Sequence, residues 1–146
     1  MASDPLPIDR GGLEVLTYQE CLDLLDGAPV GRFAFIDEGE PRVFPVNHRL
    51  SGSSIVFRTT FGAKLHAAAV EKPASFEVDE FDAETRTGWS VIATGTAEQV
   101  LDDDEIAELE ELDLEPWANA ADRDRWVRLR PNEVTGRRIV PPDPEA

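Results

Sequence analysis

The residues whose types and spacing could do chemistry lie between Arg42 and Lys64, in the stretch RVFPVNHRLSGSSIVFRTTFGAK. No Asp or Glu occurs between Pro41 and Val70, although the chain carries 30 acids in 146 residues and a window of that length should hold roughly six. The cations Arg42, Arg49, Arg58 and Lys64 remain there, with both histidines, His48 and His66. Such a stretch suits an anion, because hydrogen bonds between charged partners are the strong ones. Strands and packed helices shed acids without any ligand, which is the plain alternative. Lys64 weighs against it: the chain has only two lysines, and this one sits one residue into a predicted helix, where free N–H groups and the helix dipole favour negative charge.

The elements that must position these residues follow from hydrophobic period and turn chemistry. Residues 1–12, with two prolines and two glycines, read as a loose lead-in. Thr17 and Glu20 form a capping box for a helix over Tyr18–Asp26 that ends at Gly27. Val30–Ile36 and Pro41–Leu50 are two strands of a hairpin around DEGEP. Pro45 has no N–H for a ladder, so its position is an edge, a bulge or a ligand contact, and the last is favoured. Ile55–Thr60 is a third strand, with Val56, Arg58 and Thr60 on one face, and Gly62 releases the chain into a helix over Ala63–Val70.

Pro73–Phe81 is a fourth strand with Asp79 and Glu80 on a solvated side, and Gly88–Val100 a bent fifth with a bulge at Gly95. Asp102–Leu112 is an acidic amphipathic helix. WANAADRD is a mixed segment, Arg125–Arg130 a sixth strand, and EVTGRRIV the last apolar piece. About six hairpin-linked strands with two to three short helices predict a closed or split antiparallel barrel. One domain over residues 13–140 and a tail at 141–146 account for the chain.

Composition excludes several functions. A net charge of −16 leaves few cations for a phosphate backbone, so nucleic acid is not an expected partner. No 18-residue apolar run and no basic, apolar leader occur, so neither a membrane nor export is expected and the protein is placed in the cytoplasm. Cys21 is a lone cysteine on the apolar side of a helix and reads as a buried, inert thiol. No metal spacing, G-x-G-x-x-G, Walker loop or G-x-S-x-G is present.

PRVFPVNHRL and SIVFRTTFGAKLHAA, continuing through FEVDEFDAETRTGWSVIATGTAEQV, resemble the pyridoxamine 5′-phosphate oxidase-like FMN-binding split-barrel family over roughly residues 15–140. The resemblance implies a six-stranded antiparallel split β-barrel with two to three short flanking helices, and FMN held at a homodimer interface. It implies that Pro45, Val46 and Asn47 contact the isoalloxazine ring, that Arg58 and Thr59 contact the ribityl phosphate end, that Lys64 binds the phosphate, and that Ser90 lies close to the flavin. The implied activity is an FMN-dependent oxidoreductase acting on a flavin, a nitro compound or another small acceptor. An F420-dependent reductase of the same fold and a non-catalytic flavin-binding protein are the alternatives. The residues agree independently: Arg58, Thr59 and Lys64 are donors that a phosphate needs, and the Gly62 loop can bring them together. Flavin carries its own redox chemistry, so no catalytic side chain is required, and none is assigned. No histidine follows His66, which speaks against pyridoxal chemistry.

Other residues carry two readings each. His48 is either a proton donor or a solvent-facing strand residue. Trp89 either walls the flavin pocket or fills the barrel. Arg123, Arg125, Arg128, Arg130, Arg137 and Arg138 suit cross-strand pairing with acids, with Arg137 and Arg138 placed to reach FMN or an anionic substrate.

Overall fold

Residues 6–60, 62–118 and 123–141 are described by the structure, a computed structural model. The first five residues of the expected lead-in, residues 119–122 of the mixed segment and 142–146 of the expected tail lie outside them. Among the described residues the fold is mainly β, with eight strands where six are expected, and three helices. β1 (Glu14–Val15) is a two-residue addition, and α1 (Tyr18–Gly27) follows behind the expected capping box, Thr17 accepting from the Glu20 N–H at 3.2 Å. β2 (Val30–Asp37) and β3 (Glu40–Asn47) form the expected hairpin. The single strand expected over Pro41–Leu50 is instead two, because β3 ends at Asn47 and β4 (Arg49–Ser51) begins after His48.

β5 (Ser54–Thr59), α2 (Ala63–Ala69), β6 (Pro73–Asp82), β7 (Thr87–Gln99) and α3 (Asp103–Glu110) lie close to their expected spans. β8 (Arg125–Ile139) joins the expected sixth strand and the last apolar piece into one element of 15 residues. Pro131 does not break it, because it lies at a bulge. Gly95 faces Pro131 and Thr94 faces Glu133, so Asn132 is the extra residue and the irregularity expected at Gly95 falls on the partner strand. A Cβ on Gly95 would overlap the Arg130 carbonyl.

Strand order is β3-β2-β6-β7-β8-β5-β4, with β1 on β8. β3 and β4 are the two ends of this order, yet one residue, His48, separates them in the chain. A flat sheet would hold those ends several strand spacings apart, at nearly 5 Å each. The sheet must therefore curl until its ends come together, which gives a split barrel. Inside the curl Phe33, Phe57 and Phe76 are fully buried, with Phe33 and Phe57 rings 4.9 Å apart; each contributes roughly 1.5–3 kcal/mol by burial. α1 lays Cys21 and Leu25 on this core and α2 adds Leu65 and Ala68. On the outside of β5 a second cluster unites Val56 and Trp126 with Leu109 of α3, Val100 and Leu114. β5 is thus apolar on both faces, which is why Ile55, Val56 and Phe57 run without alternation.

Residues 6–12 are less loose than expected. Asp9 accepts from the Gly11 and Leu13 N–H groups and pairs with Arg137 of β8 at 2.9 Å. Among the described residues no helix is long and apolar enough to cross a membrane.

Candidate cofactor site

Among the described residues β3 pairs with β2 and with no other strand, which leaves its outer edge unpaired there. Pro45 sits there, exposed, opposite Arg32 of β2, and an edge tolerates its missing N–H without any ligand. Val46 turns inward and is buried. Asn47 spans two loops: its amide nitrogen donates to the Pro29 carbonyl at 3.0 Å and its amide oxygen accepts from the Trp117 N–H at 2.8 Å. These three residues therefore form one continuous edge segment, with Asn47 anchoring its end.

His48 meets neither expectation for it. It is 2% exposed, its Nε2 lies 2.7 Å from the Leu25 carbonyl, and its Nδ1 is buried without a partner among the described residues. A carbonyl only accepts, so Nε2 carries a proton and donates it to Leu25. Burial, opposed by the bond to Leu25, holds its pKa below the ordinary histidine value. The residue links the two ends of the sheet and stitches them to α1.

The cations of the acid-free stretch divide sharply. Arg42 pairs with Glu40 and Asp37, and Arg49 with Asp26, acids just outside the stretch. Arg58 donates to the Leu114 carbonyl at 3.3 Å and lies 5.7 Å from the Trp126 ring centre, against the second cluster, with its Nε buried and unpartnered. Thr59 is buried and its hydroxyl donates to the Thr60 carbonyl at 3.4 Å, a long bond. Lys64 lies on the other side, its Nζ 4.9 Å from the Phe44 ring centre, and has no carboxylate partner among the described residues. Burial first, and then the charge of Arg123, push its pKa below the ordinary lysine value. Arg58 and Lys64 thus rest against different apolar clusters, and the cation whose charge reaches Lys64 is Arg123.

A cleft of about 380 Å3 opens beside Asn47, but Asp26, Asp113 and Glu115 line it with Arg49, so it does not suit an anion. Ser90 lies in a separate cleft of about 320 Å3 with Trp89, Phe81, Leu13, Ile139 and Arg137, bordered by Glu77 and Asp79. Trp89 both packs on the main core and walls this cleft. Glu77 and Asp79 share Arg32, at 3.4 and 3.2 Å. Burial and a hydrogen bond shared with Asp79 push the Glu77 carboxyl up to about 7. Asp79 is therefore part of an ion cluster and not simply a solvated position, while Glu80 is exposed.

The arginines of β8 mostly find acids, as cross-strand pairing predicts. Arg128 and Arg130 share Glu98, while Arg137 and Arg138 reach Asp9 and Glu14 in the N-terminal segment of the same chain. The sequence offered Arg123 only for cross-strand pairing with acids, and it gave no sign of the Arg32–Glu77–Asp79 group. The first could have been found from its position two residues before a strand that pairs with β5, the second only by knowing the β2–β6 register.

The sequence profile described as pyridoxamine 5′-phosphate oxidase matches residues 17–138, which include Pro45, Val46, Asn47, Arg58, Thr59, Lys64 and Ser90. The chain belongs to the pyridoxamine 5′-phosphate oxidase family. A relative, the uncharacterized protein Rv0080 of Mycobacterium tuberculosis, is 37% identical over 131 residues, covering 86% of this chain and 84% of that protein. Among solved structures, an FAD-binding protein from Mycobacterium smegmatis is 36% identical, with a TM-score of 0.72 over 86% of this chain and 99% of that one. An FAD-binding protein from Mesorhizobium loti, at 24% identity and TM-score 0.72 over 88% of this chain and 99% of that one, shares the fold. Pyridoxamine 5′-phosphate oxidase family members are thus the frame in which Pro45–Asn47, Arg58, Thr59, Lys64 and Ser90 are to be read.

Proposed function

We propose that the chain is a homodimeric, flavin-dependent oxidoreductase that reduces a small-molecule acceptor. Its cofactor is a phosphate-bearing flavin, FMN or FAD. The ring lies along the edge formed by Pro45, Val46 and Asn47, and the phosphate end sits at Lys64 with Arg58 and Thr59 beside it. The observation that carries this reading is Lys64: a half-buried ammonium without a carboxylate partner among the described residues, next to a strand edge, in a protein of net charge −16. Such a cation is stabilised by a bound anion. The FAD bound by the 36%-identical M. smegmatis protein supports a flavin as that anion.

A bound flavin supplies the electron transfer, so the chain's task is to hold and orient it and to exclude water. The exposed β3 edge offers backbone donors and acceptors to the ring's polar rim, and the partly buried Phe44 supplies apolar contact. Arg58 would release its long bond to Leu114 to reach the phosphate. Ser90 lies in a cleft that shares no residue with the one at Asn47, which supports a site built from two protomers, Ser90 of one facing β3 of the other.

The test is to denature the purified protein, identify the released cofactor by absorbance and mass, and assay NAD(P)H oxidation with a panel of flavins, nitro compounds and quinones. FMN or FAD with turnover is expected. Bound flavin without turnover across the panel would make the chain a carrier, and release of F420 would move it to deazaflavin chemistry. A colourless chain that takes up none of the three overturns the reading.

A further inference from the structure

We infer that Arg123 is a second cation of the phosphate site and forms, with Lys64, a two-pronged cradle for the cofactor's phosphate. The inference rests on the flavin reading above and names a residue that this reading does not contain. Position brings the two together. The β5–β8 register runs to Thr59 opposite Arg125, so Arg123 lies two residues further out, at the end of the sheet where β5 leaves for α2 and Lys64.

Orientation follows from one bond. The Arg123 Nε donates to the Ala118 carbonyl at 2.6 Å, which fixes the plane of the guanidinium. Its two Nη groups, with four N–H donors between them, have no partner among the described residues. That fork matches two oxygens of one phosphate, while Lys64 adds a point charge.

Charge completes the argument. Arg125, Arg128, Arg130, Arg137 and Arg138, the arginines that follow on β8, are each paired with a carboxylate. Arg123 and Lys64 have none among the described residues, although acids outnumber cations by 30 to 14 in the chain. Their mutual repulsion, which adds to the larger effect of burial in lowering the Lys64 pKa, is a cost that a dianion between them would remove. Arg123 would therefore select phosphorylated flavins over riboflavin.

The experiment titrates the full chain, freed of cofactor, with FMN, FAD and riboflavin, comparing wild type with Arg123→Gln and Arg123→Lys. Arg123→Gln is expected to raise the dissociation constant for FMN and FAD by about tenfold or more, the range for a hydrogen bond to a charged group, and that for riboflavin by less than about twofold. Arg123→Lys keeps the charge but loses the fork, and should fall between; it stands in if the Gln variant does not fold. An unchanged FMN constant, or equal losses for FMN and riboflavin at an unchanged melting temperature, overturns the inference. Should wild type bind no flavin, the flavin reading falls separately, and inorganic pyrophosphate decides: a thermal up-shift that Arg123→Gln abolishes upholds the cradle, and no shift in wild type overturns it.

Discussion

His48 shows how much one residue can carry without touching a ligand. It joins the two ends of a curled sheet, spans to α1 through the Leu25 carbonyl, and packs its ring 4.7 Å from Phe76. Its Nδ1 is orphaned, and an unmade buried bond costs roughly 1–3 kcal/mol. Burial depresses its pKa below 6.5, so the unfolded chain binds a proton more readily than the folded one. The stability due to neutral His48 is thus fully present above pH 6.5 and declines as pH falls from there through the folded value. NMR titration of the His48 ring should place its midpoint below 6.5, with stability to urea falling over the same range; a midpoint at or above 6.5 would sink this account.

At the scale of elements, the β2–β6 pair sets the ion cluster on the sheet's outer face. Register places Arg32 opposite Glu77, and Asp79 is two residues further along the same face. Burial first, and then the hydrogen bond and charge of Asp79 beside it, outweigh the shared Arg32, so Glu77 retains its proton up to about 7. The sign follows: the folded pKa lies above the ordinary 4.5, so the folded chain holds the extra proton between these values. Its stabilising contribution is complete below 4.5 and lost as pH rises through about 7. Glu77→Gln, which mimics the protonated form, should raise the melting temperature at pH 8 and change it little at pH 5. Equal effects at both pH values would show that the shared proton is not what matters.

For the whole molecule, the decisive question is what covers the outer sheet face and the open edge of β3. Ile36, Val43, Phe81 and Ile139 are exposed there or at its margins, and Ser90 and Arg137 line a cleft on it. A second copy over this face would bury apolar area and complete the site from both sides. Sedimentation should give a dimer at micromolar concentration, and flavin occupancy should fall as dilution drives dissociation. A monomer that keeps one flavin per chain would remove the shared site.

Much of the architecture was legible because its causes are local. Alternation along β2 and β6, the Thr17–Glu20 cap and the acid-free stretch each depend on neighbours a few residues away, where sterics and hydrogen bonds are set by the chain itself. The resemblance of PRVFPVNHRL and SIVFRTTFGAKLHAA to known split barrels supplied the family from the same local text. The tertiary structure alone decided the rest. Only strand order turns the residue between Asn47 and Arg49 into the link between two sheet ends, and only register separates Arg58 from Lys64 and brings Arg123 toward it. Those relations depend on which edges pair across long chain separations and on which cations burial leaves without an acid, and neither is a property of any short stretch of sequence.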